Sequence, residues 1–156
     1  MEDYEKMLKE LEMHEELLQF SEFTNETALQ IGMKMIEKAR KENFSIVIDI
    51  IRSGHQLFHY AFEGTSPDND AWIVRKNRAV NRFHTSSLYL GTKLKLIEKT
   101  IEEKYFISSN EYSPHGGAFP IIIKNVGVVG TISSSGIDQI TEHNLIVEVL
   151  KKFLRK

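Results

Sequence analysis

The chain has 156 residues, of which 41% are hydrophobic, and its formal net charge is -2. It contains no cysteine, which excludes disulfides, thiolate metal sites and cysteine nucleophiles. No apolar run approaches the roughly 18 residues that a membrane span needs, and the opening MEDYEKMLKE lacks the basic start and apolar stretch of a signal peptide. These features predict a cytoplasmic protein with a single core.

Charge is distributed unevenly along the chain. Residues 1–26 carry nine acidic and two basic side chains, whereas residues 71–97 carry six basic side chains and no acidic one. This split indicates an anion-binding face, or two surfaces of one chain that attract each other, or simply solvated helix faces. Nucleic acid is disfavoured as a partner, because the net charge lacks the basic excess of phosphate-binding proteins.

The first half of the chain predicts two helices and a hairpin. Residues 1–19 have apolar side chains at helical spacing and predict an amphipathic N-terminal extension. A second helix is expected to begin near Thr24 and Asn25, whose short polar side chains can cap its free N–H groups. The apolar, β-branched residues 44–51 and the returning residues 56–62 predict a β-hairpin.

The second half predicts further helices around a second hairpin. A helix is expected to follow Asp70, its predicted cap, and to be interrupted at Gly91. Residues 119–124 and 128–132 predict two strands joined by a tight turn. A closing helix over 137–156 completes the order. The alternation predicts an α+β fold around an antiparallel sheet, within one domain over residues 20–156.

Few residues stand out for chemistry. The signatures of phosphate-binding loops, dinucleotide folds, zinc helices and hydrolase elbows are absent from the sequence. The triple serine 133–135 is interpreted as a helix cap in preference to a nucleophile. His115 precedes Gly116 and Gly117, and paired glycines let a backbone approach a ligand closely. A simple turn entering a strand is the alternative interpretation of this segment.

Three stretches together resemble a known family: IVIDIIRSGHQLFHY, WIVRKNRAVNRF and HGGAFPIIIKNVGVVGTISSSG. The double glycine, the proline-led strand and the VGTISSSG strand end are the most specific parts. They resemble the GlcG-like family, also called haem-degrading, HbpS-like or PduO C-terminal-like, and Lys76 matches the lysine of that family's helix segment. The sequence departs from the family at Ile51, where an acid commonly lies three residues before Gly54.

The resemblance implies a profilin-like three-layer α/β/α fold with a five-stranded antiparallel sheet, and assembly into homo-oligomers of two or more copies. It also implies haem as a ligand, whose propionates arginine and lysine can pair. It assigns no particular histidine to the iron, because axial ligands vary among members. We therefore expect an oligomeric binding module for a small anionic ligand. The candidate contacts are His115, Gly116, Gly117, Arg75, Lys76, Arg78 and Arg82.

Two alternative functions stay open from the sequence. In the first, the protein is a structural or interaction protein, in which the acidic N-terminal helix and the basic segment 71–97 form subunit contacts. In the second, it is a haem-degrading enzyme. Only the resemblance supports that reading, because the sequence shows no recognisable acid–base pair or nucleophile set. No catalytic residue, resident metal site or membrane partner is predicted.

Overall fold

The computed structural model describes residues 2–156 and has the predicted α+β architecture. In this stretch no helix combines the length and the apolar character that a bilayer crossing requires. The elements in chain order are α1 (Tyr4–Leu17), α2 (Asn25–Lys41), β1 (Val47–Arg52), β2 (His55–Ala61), α3 (Pro67–Phe83), α4 (Ser87–Leu96), α5 (Ile101–Tyr105), β3 (Ala118–Ile123), β4 (Gly127–Ser135) and α6 (Gln139–Leu154). Both predicted hairpins are present. The predicted start of α2 is confirmed, since the Thr24 hydroxyl accepts the N–H of Thr27 at 3.0 Å.

The sheet is antiparallel, with the strand order β2-β1-β4-β3. Residues 2–156 form four strands, whereas the resemblance implies five. Beyond β3 the chain makes one isolated parallel bridge, between Phe20 and Ile123, in which the Phe20 N–H donates to the Ile122 carbonyl at 2.8 Å. Phe20 turns its side chain into the core. The segment therefore crosses that edge once instead of running along it as a strand.

Helices cover both faces of the sheet. On one face α2 and α6 pack against an apolar surface, and this contact forms the main core. Each aliphatic or aromatic side chain fully buried there stabilises the fold by about 1.5–3 kcal/mol. The other face of the sheet packs against α3. The fully buried strand residues of the main core are Ile48, Ile50, Phe119, Ile121 and Ile132.

The start of α3 differs from the prediction. The helix begins at Pro67, and the N–H of Ser66 donates to the Asn69 side chain at 2.9 Å. Proline suits a first helical position, because its missing N–H would have no helical partner there. The prediction that Asp70 caps this helix is therefore wrong. Asp70 lies in the first turn and contacts His59 instead, at 3.1 Å.

Two further local predictions are wrong for a shared reason, namely contacts that lie far away in the sequence. Gly91 does not interrupt a helix: α3 has already ended at Phe83, and Gly91 lies inside α4. The serines 133–135 belong to β4 and do not cap α6. That cap is Asp138, whose carboxylate accepts the N–H of Thr141 at 3.0 Å.

The acidic helix α1 packs on α4 of its own chain. Tyr89 donates its hydroxyl to Glu12 at 2.8 Å, and the Ser86 N–H at the start of α4 donates to Glu15 at 3.3 Å. Burial raises the pKa of Glu15 to about 7. Deeper in the contact, Nδ1 of His14 lies 3.2 Å from Nε2 of the buried His143. Both acidic and imidazole groups thus hold α1 against the domain.

We predict that Gly91→Ala destabilises the protein by about 1–3 kcal/mol, although alanine normally favours a helix interior by about 1 kcal/mol. A Cβ at this position would collide with the carbonyl oxygen of Pro114. Urea denaturation measures the change in the free energy of unfolding. The control is Lys93→Ala, an exposed site in the same helix, which should stay near wild type. A Gly91→Ala protein as stable as wild type would contradict this close contact.

We predict that His143 makes the fold sensitive to acid. Burial lowers its pKa to about 3, from an ordinary value of 6.5. Between these pH values His143 is protonated in the unfolded chain and neutral in the folded chain. The free energy of unfolding therefore falls as the pH decreases, by up to about 1.4 kcal/mol per pH unit. Unfolding free energies measured across this window for wild type and His143→Leu should show the smaller slope in the variant. Parallel curves for the two proteins would exclude this role.

Candidate functional site

The face of the sheet that meets α3 carries buried polar side chains. Asn77 of α3 donates to Asp49 at 3.3 Å and accepts a hydrogen bond from the Ser133 hydroxyl. Buried polar groups are costly unless they find partners, so a polar layer between a helix and a sheet is unusual in a core built only for stability. The polar side chains of α3 are therefore candidates for a functional role.

A buried ion pair joins α3 to α6. The Lys76 ammonium donates to Oε1 of Glu142 at 2.8 Å and to the Ser134 carbonyl at 2.9 Å. The other carboxylate oxygen, Oε2, accepts the backbone N–H groups of Gly136 at 2.7 Å and Ile137 at 3.0 Å. The side chains of Lys76 and Glu142 are only 4% and 2% exposed. The carboxylate therefore has three donors around it.

Burial and pairing act in opposite directions on these two groups. Burial lowers the pKa of Lys76, and the adjacent Glu142 opposes this change. Burial likewise raises the pKa of Glu142, against the effect of Lys76 and the two backbone N–H groups. Hydrogen bonds to a carboxylate favour its charged form. Burial outweighs pairing in the pKa of both groups, and the contact between Lys76 and Glu142 limits how far each pKa moves towards the neutral form.

A cavity of about 260 Å³ opens beside this ion pair. Lys76, His115 and Gly116, three of the residues predicted from the sequence, line it together. The Gly116 N–H donates to the Gln139 side chain at 3.0 Å, which fixes the glycine loop against the start of α6. The further lining residues are Asn69, Trp72, Ser135, Gly136, Ile137, Gln139 and Glu142.

His115 lies at the mouth of the cavity. Its ring is 6.2 Å from that of Trp72, centroid to centroid, in an edge-to-face arrangement. Partial burial lowers the pKa of His115, and the positive charges of Lys95 and Lys76 lower it further. The imidazole is therefore neutral near pH 7, so one ring nitrogen can donate a hydrogen bond and the other can accept one.

The other predicted contacts lie outside the cavity lining. Arg75 stacks on Trp72, with its guanidinium carbon 4.1 Å from the ring centroid, and so lies at the rim. Gly117 packs against α6, where a Cβ would lie 2.8 Å from the backbone at Glu142 and His143. Arg78 is exposed, and Arg82 lies over the ring of Tyr112. The contacts predicted from the sequence thus belong to two separate features. One is the cavity, and the other is the surface of α3 that carries Arg78 and Arg82.

Glu142 is the main site residue that the sequence analysis missed. It occupies the same face of α6 as Ile146 and Leu150, which are buried in the apolar core. A single charge on an apolar helix face was the available signal, because a buried carboxylate requires a partner.

A second missed group surrounds His59, whose Nδ1 and Nε2 lie 3.1 Å from Asp49 and from Asp70 respectively. His59 stands opposite Asp49 in the β1–β2 ladder, and Asp70 reaches it from the first turn of α3. Within residues 2–156 no three ligand side chains are grouped so as to hold a metal ion. His59, Asp49 and Asp70 extend the polar layer between α3 and the sheet, because Asp49 also accepts from Asn77.

We predict that Lys76→Met destabilises the fold by about 3–5 kcal/mol, because it leaves the buried Glu142 carboxylate without its cation. The loss should shrink in acid, since protonation of Glu142 removes the isolated charge. Urea denaturation at neutral and at acidic pH measures both effects.

The double variant Lys76→Met/Glu142→Gln provides the control. Glutamine keeps an acceptor for the Gly136 and Ile137 N–H groups but carries no charge, so the double variant should be more stable than Lys76→Met alone. Strictly additive losses would show that the two side chains are not coupled.

Comparison with known proteins places the chain among relatives along nearly its whole length. The UPF0303 protein SCO2848 of Streptomyces coelicolor is 43% identical over 145 residues, which cover 93% of this chain and 92% of the relative. The crystal structure of the Ybr137w protein superposes with a TM-score of 0.87 at 37% identity, covering 95% of this chain and 87% of that one.

A more distant structure shows the same fold. The crystal structure of HbpS matches with a TM-score of 0.65 at 16% identity, covering 87% of this chain and 92% of that chain. The family model described as "Haem degrading protein HbpS-like" matches residues 23–151. This chain therefore belongs to the HbpS-like family that this model describes.

Proposed function

We propose that this protein is a cytoplasmic, oligomeric binding module whose cavity beside Lys76 holds the acidic group of a small anionic ligand. The supporting observation is the coordination of Lys76. An ammonium group has three donors, and within the described residues Glu142 and the Ser134 carbonyl take two of them. Lys76 also lines the cavity, so its third N–H is available to an acceptor there.

The remaining walls suit a ligand with an acidic end and a flat body. Trp72 provides an aromatic surface, and Arg75 lies above it as a second cation at the rim. His115, whose ring meets the edge of Trp72, and Gly116 offer a neutral imidazole and a backbone that lacks a side chain. Hydrogen bonds from a charged donor to a carboxylate are about twice as strong as neutral ones. We therefore assign the binding energy chiefly to Lys76.

Haem is the specific ligand that family membership favours. The cavity of about 260 Å³ is smaller than the roughly 300 Å³ at the low end of pockets that enclose drug-sized ligands, so it does not enclose a tetrapyrrole ring. It does have room for a propionate group. In the haem version of the proposal, Lys76 holds a propionate while the ring stays outside the cavity, near Trp72 and Arg75. Haem would bring redox-active iron to this surface.

We expect haem titration to give a saturable Soret band at micromolar haem, and Arg75→Ala to weaken binding by roughly 3- to 10-fold through loss of a charged contact at the rim. Arg78→Ala is the matched control, because this arginine lies on the same helix but away from the cavity. Equal weakening in both variants would assign the effect to overall charge. No saturable binding would reject haem as the ligand.

The exposed surface of α1 favours assembly as a second candidate function. Met13 and Leu17 are 54% and 38% exposed and lie four residues apart, which places them on one face of the helix. Acidic residues flank them, whereas Arg78 and Arg82 are exposed on α3. An apolar strip with an acidic border matches a surface with basic side chains, so α1 of one copy is suited to contact α3 of another.

We predict that Met13→Ser/Leu17→Ser lowers the oligomer size measured by native mass spectrometry, because it removes the apolar strip without changing charge. High salt should act in the same direction, since it screens the contact between acidic and basic groups. Met33→Ser on α2 is the control, because that methionine is equally exposed, at 53%, but lies on another helix. An unchanged oligomer in the double variant would argue against assembly through α1.

A further inference from the structure

The ion pair beside the cavity constrains how an acidic ligand can enter. This inference rests on the proposed function, because it concerns the same cavity. We propose that the protein binds its ligand as a carboxylate together with one proton, which Glu142 holds between its own carboxyl group and that of the ligand. The site would then take one carboxylate group, that of a small acid or one propionate of haem, and would bind it more tightly as the pH falls.

The charge balance of the cavity is the first step. Among the residues that line it, Lys76 is the only permanent cation, and Glu142 neutralises it at 2.8 Å. An arriving carboxylate would place two negative groups around one ammonium in a poorly solvated site. Two carboxylates that share one site cannot both stay ionised without a large cost, so one of them gains a proton. Proton uptake restores a net charge of zero.

The hydrogen bonds around Glu142 determine which oxygen takes the proton. Oε2 already accepts two backbone N–H groups, from Gly136 and Ile137, and a proton there would oppose both donors. Oε1 accepts only from Lys76. A proton from solvent therefore adds to Oε1 and is donated to the ligand carboxylate, while Lys76 stays protonated and donates its third N–H to the ligand. One O–H bond forms on Glu142 as the bond that held this proton in a solvent or buffer acid breaks, and no electrons are transferred.

Other charged groups near Glu142 must be considered as proton acceptors. His115, in the loop before β3, is the only other titratable side chain that lines the cavity without a fixed charge. Asp138 caps α6, and hydrogen bonds from Thr141 lower its pKa, so it stays ionised. The positive charge of Lys95 in α4 lowers the pKa of His115. The neighbouring His143 is paired with His14 of α1. His115 is therefore the one competing site for the proton.

The residues that line the cavity suggest the probe. Trp72 and Ile137 are apolar, whereas Lys76 and Glu142 form a charged pair. Benzoate combines a flat apolar ring with one carboxylate and suits both features. Benzamide has nearly the same shape without the charge, and it should bind without proton uptake.

The experiment is calorimetric titration of the wild-type protein with benzoate in buffers of different ionisation enthalpy. We expect uptake of about one proton per benzoate near pH 7, and an affinity that rises by up to about tenfold per pH unit on acidification. Benzamide should show neither effect. Benzoate binding without proton uptake would overturn this inference while leaving the proposed function intact. No binding of benzoate at any pH would overturn this inference, and together with the absence of saturable haem binding it would overturn the proposed function itself.

Two variants identify the proton acceptor. Glu142→Gln should bind benzoate without proton uptake, whereas His115→Gln should retain it. Uptake that is lost in His115→Gln and kept in Glu142→Gln would assign the proton to His115 and refute the role of Glu142. If Glu142→Gln does not fold, the wild-type buffer series and His115→Gln still decide, because loss of uptake in His115→Gln alone contradicts the inference.

Discussion

The buried contact between Lys76 and Glu142 holds together parts of the molecule that the sheet separates. Lys76 belongs to α3 on one face, and Glu142 belongs to α6, which packs on the other face. Glu142 also binds the turn that joins β4 to α6. A buried ion pair often contributes no more net stability than apolar packing of the same volume. Its significance here is therefore positional, because it fixes α3, the β4 end and α6 around one cavity.

The two faces of the sheet are held by different forces. The α2 and α6 face is apolar, whereas α3 adds polar contacts with the sheet to its buried apolar residues Ile73, Ala79 and Val80. Lys76 and Asn77 are neighbours in sequence, and successive helical residues point about 100° apart. They consequently reach in different directions, Lys76 towards Glu142 and Asn77 towards Asp49 and Ser133. Hydrogen bonds depend on geometry more steeply than apolar contacts do, so α3 has a strictly defined position.

Local pattern was sufficient to predict much of this fold, and the failures share one physical cause. Alternating and helical spacings predicted both hairpins and the main helices, because they reflect which side of an element is buried. Three local assignments were wrong because a partner distant in the sequence determines each position. Asp70 contacts His59, Gly91 packs against Pro114, and the serines 133–135 pair with the neighbouring strands. In the site, three residues singled out from the sequence, Lys76, His115 and Gly116, line the cavity. Glu142 was missed because its one local signal, a single charge on an apolar helix face, does not identify its partner Lys76, which lies 66 residues away in the sequence.

The bridge at Phe20 has a consequence for how the sheet can grow. It occupies backbone groups on the outer side of β3, where Ser87 also bonds both the N–H and the carbonyl of Ala118, and Pro120 has no N–H to offer. On the opposite side, β2 has no neighbouring strand beyond it within residues 2–156. If two copies paired along their β2 strands, the open β2 edge of each copy would be occupied by the other. Strand pairing would therefore stop at two copies and could not propagate into a fibre.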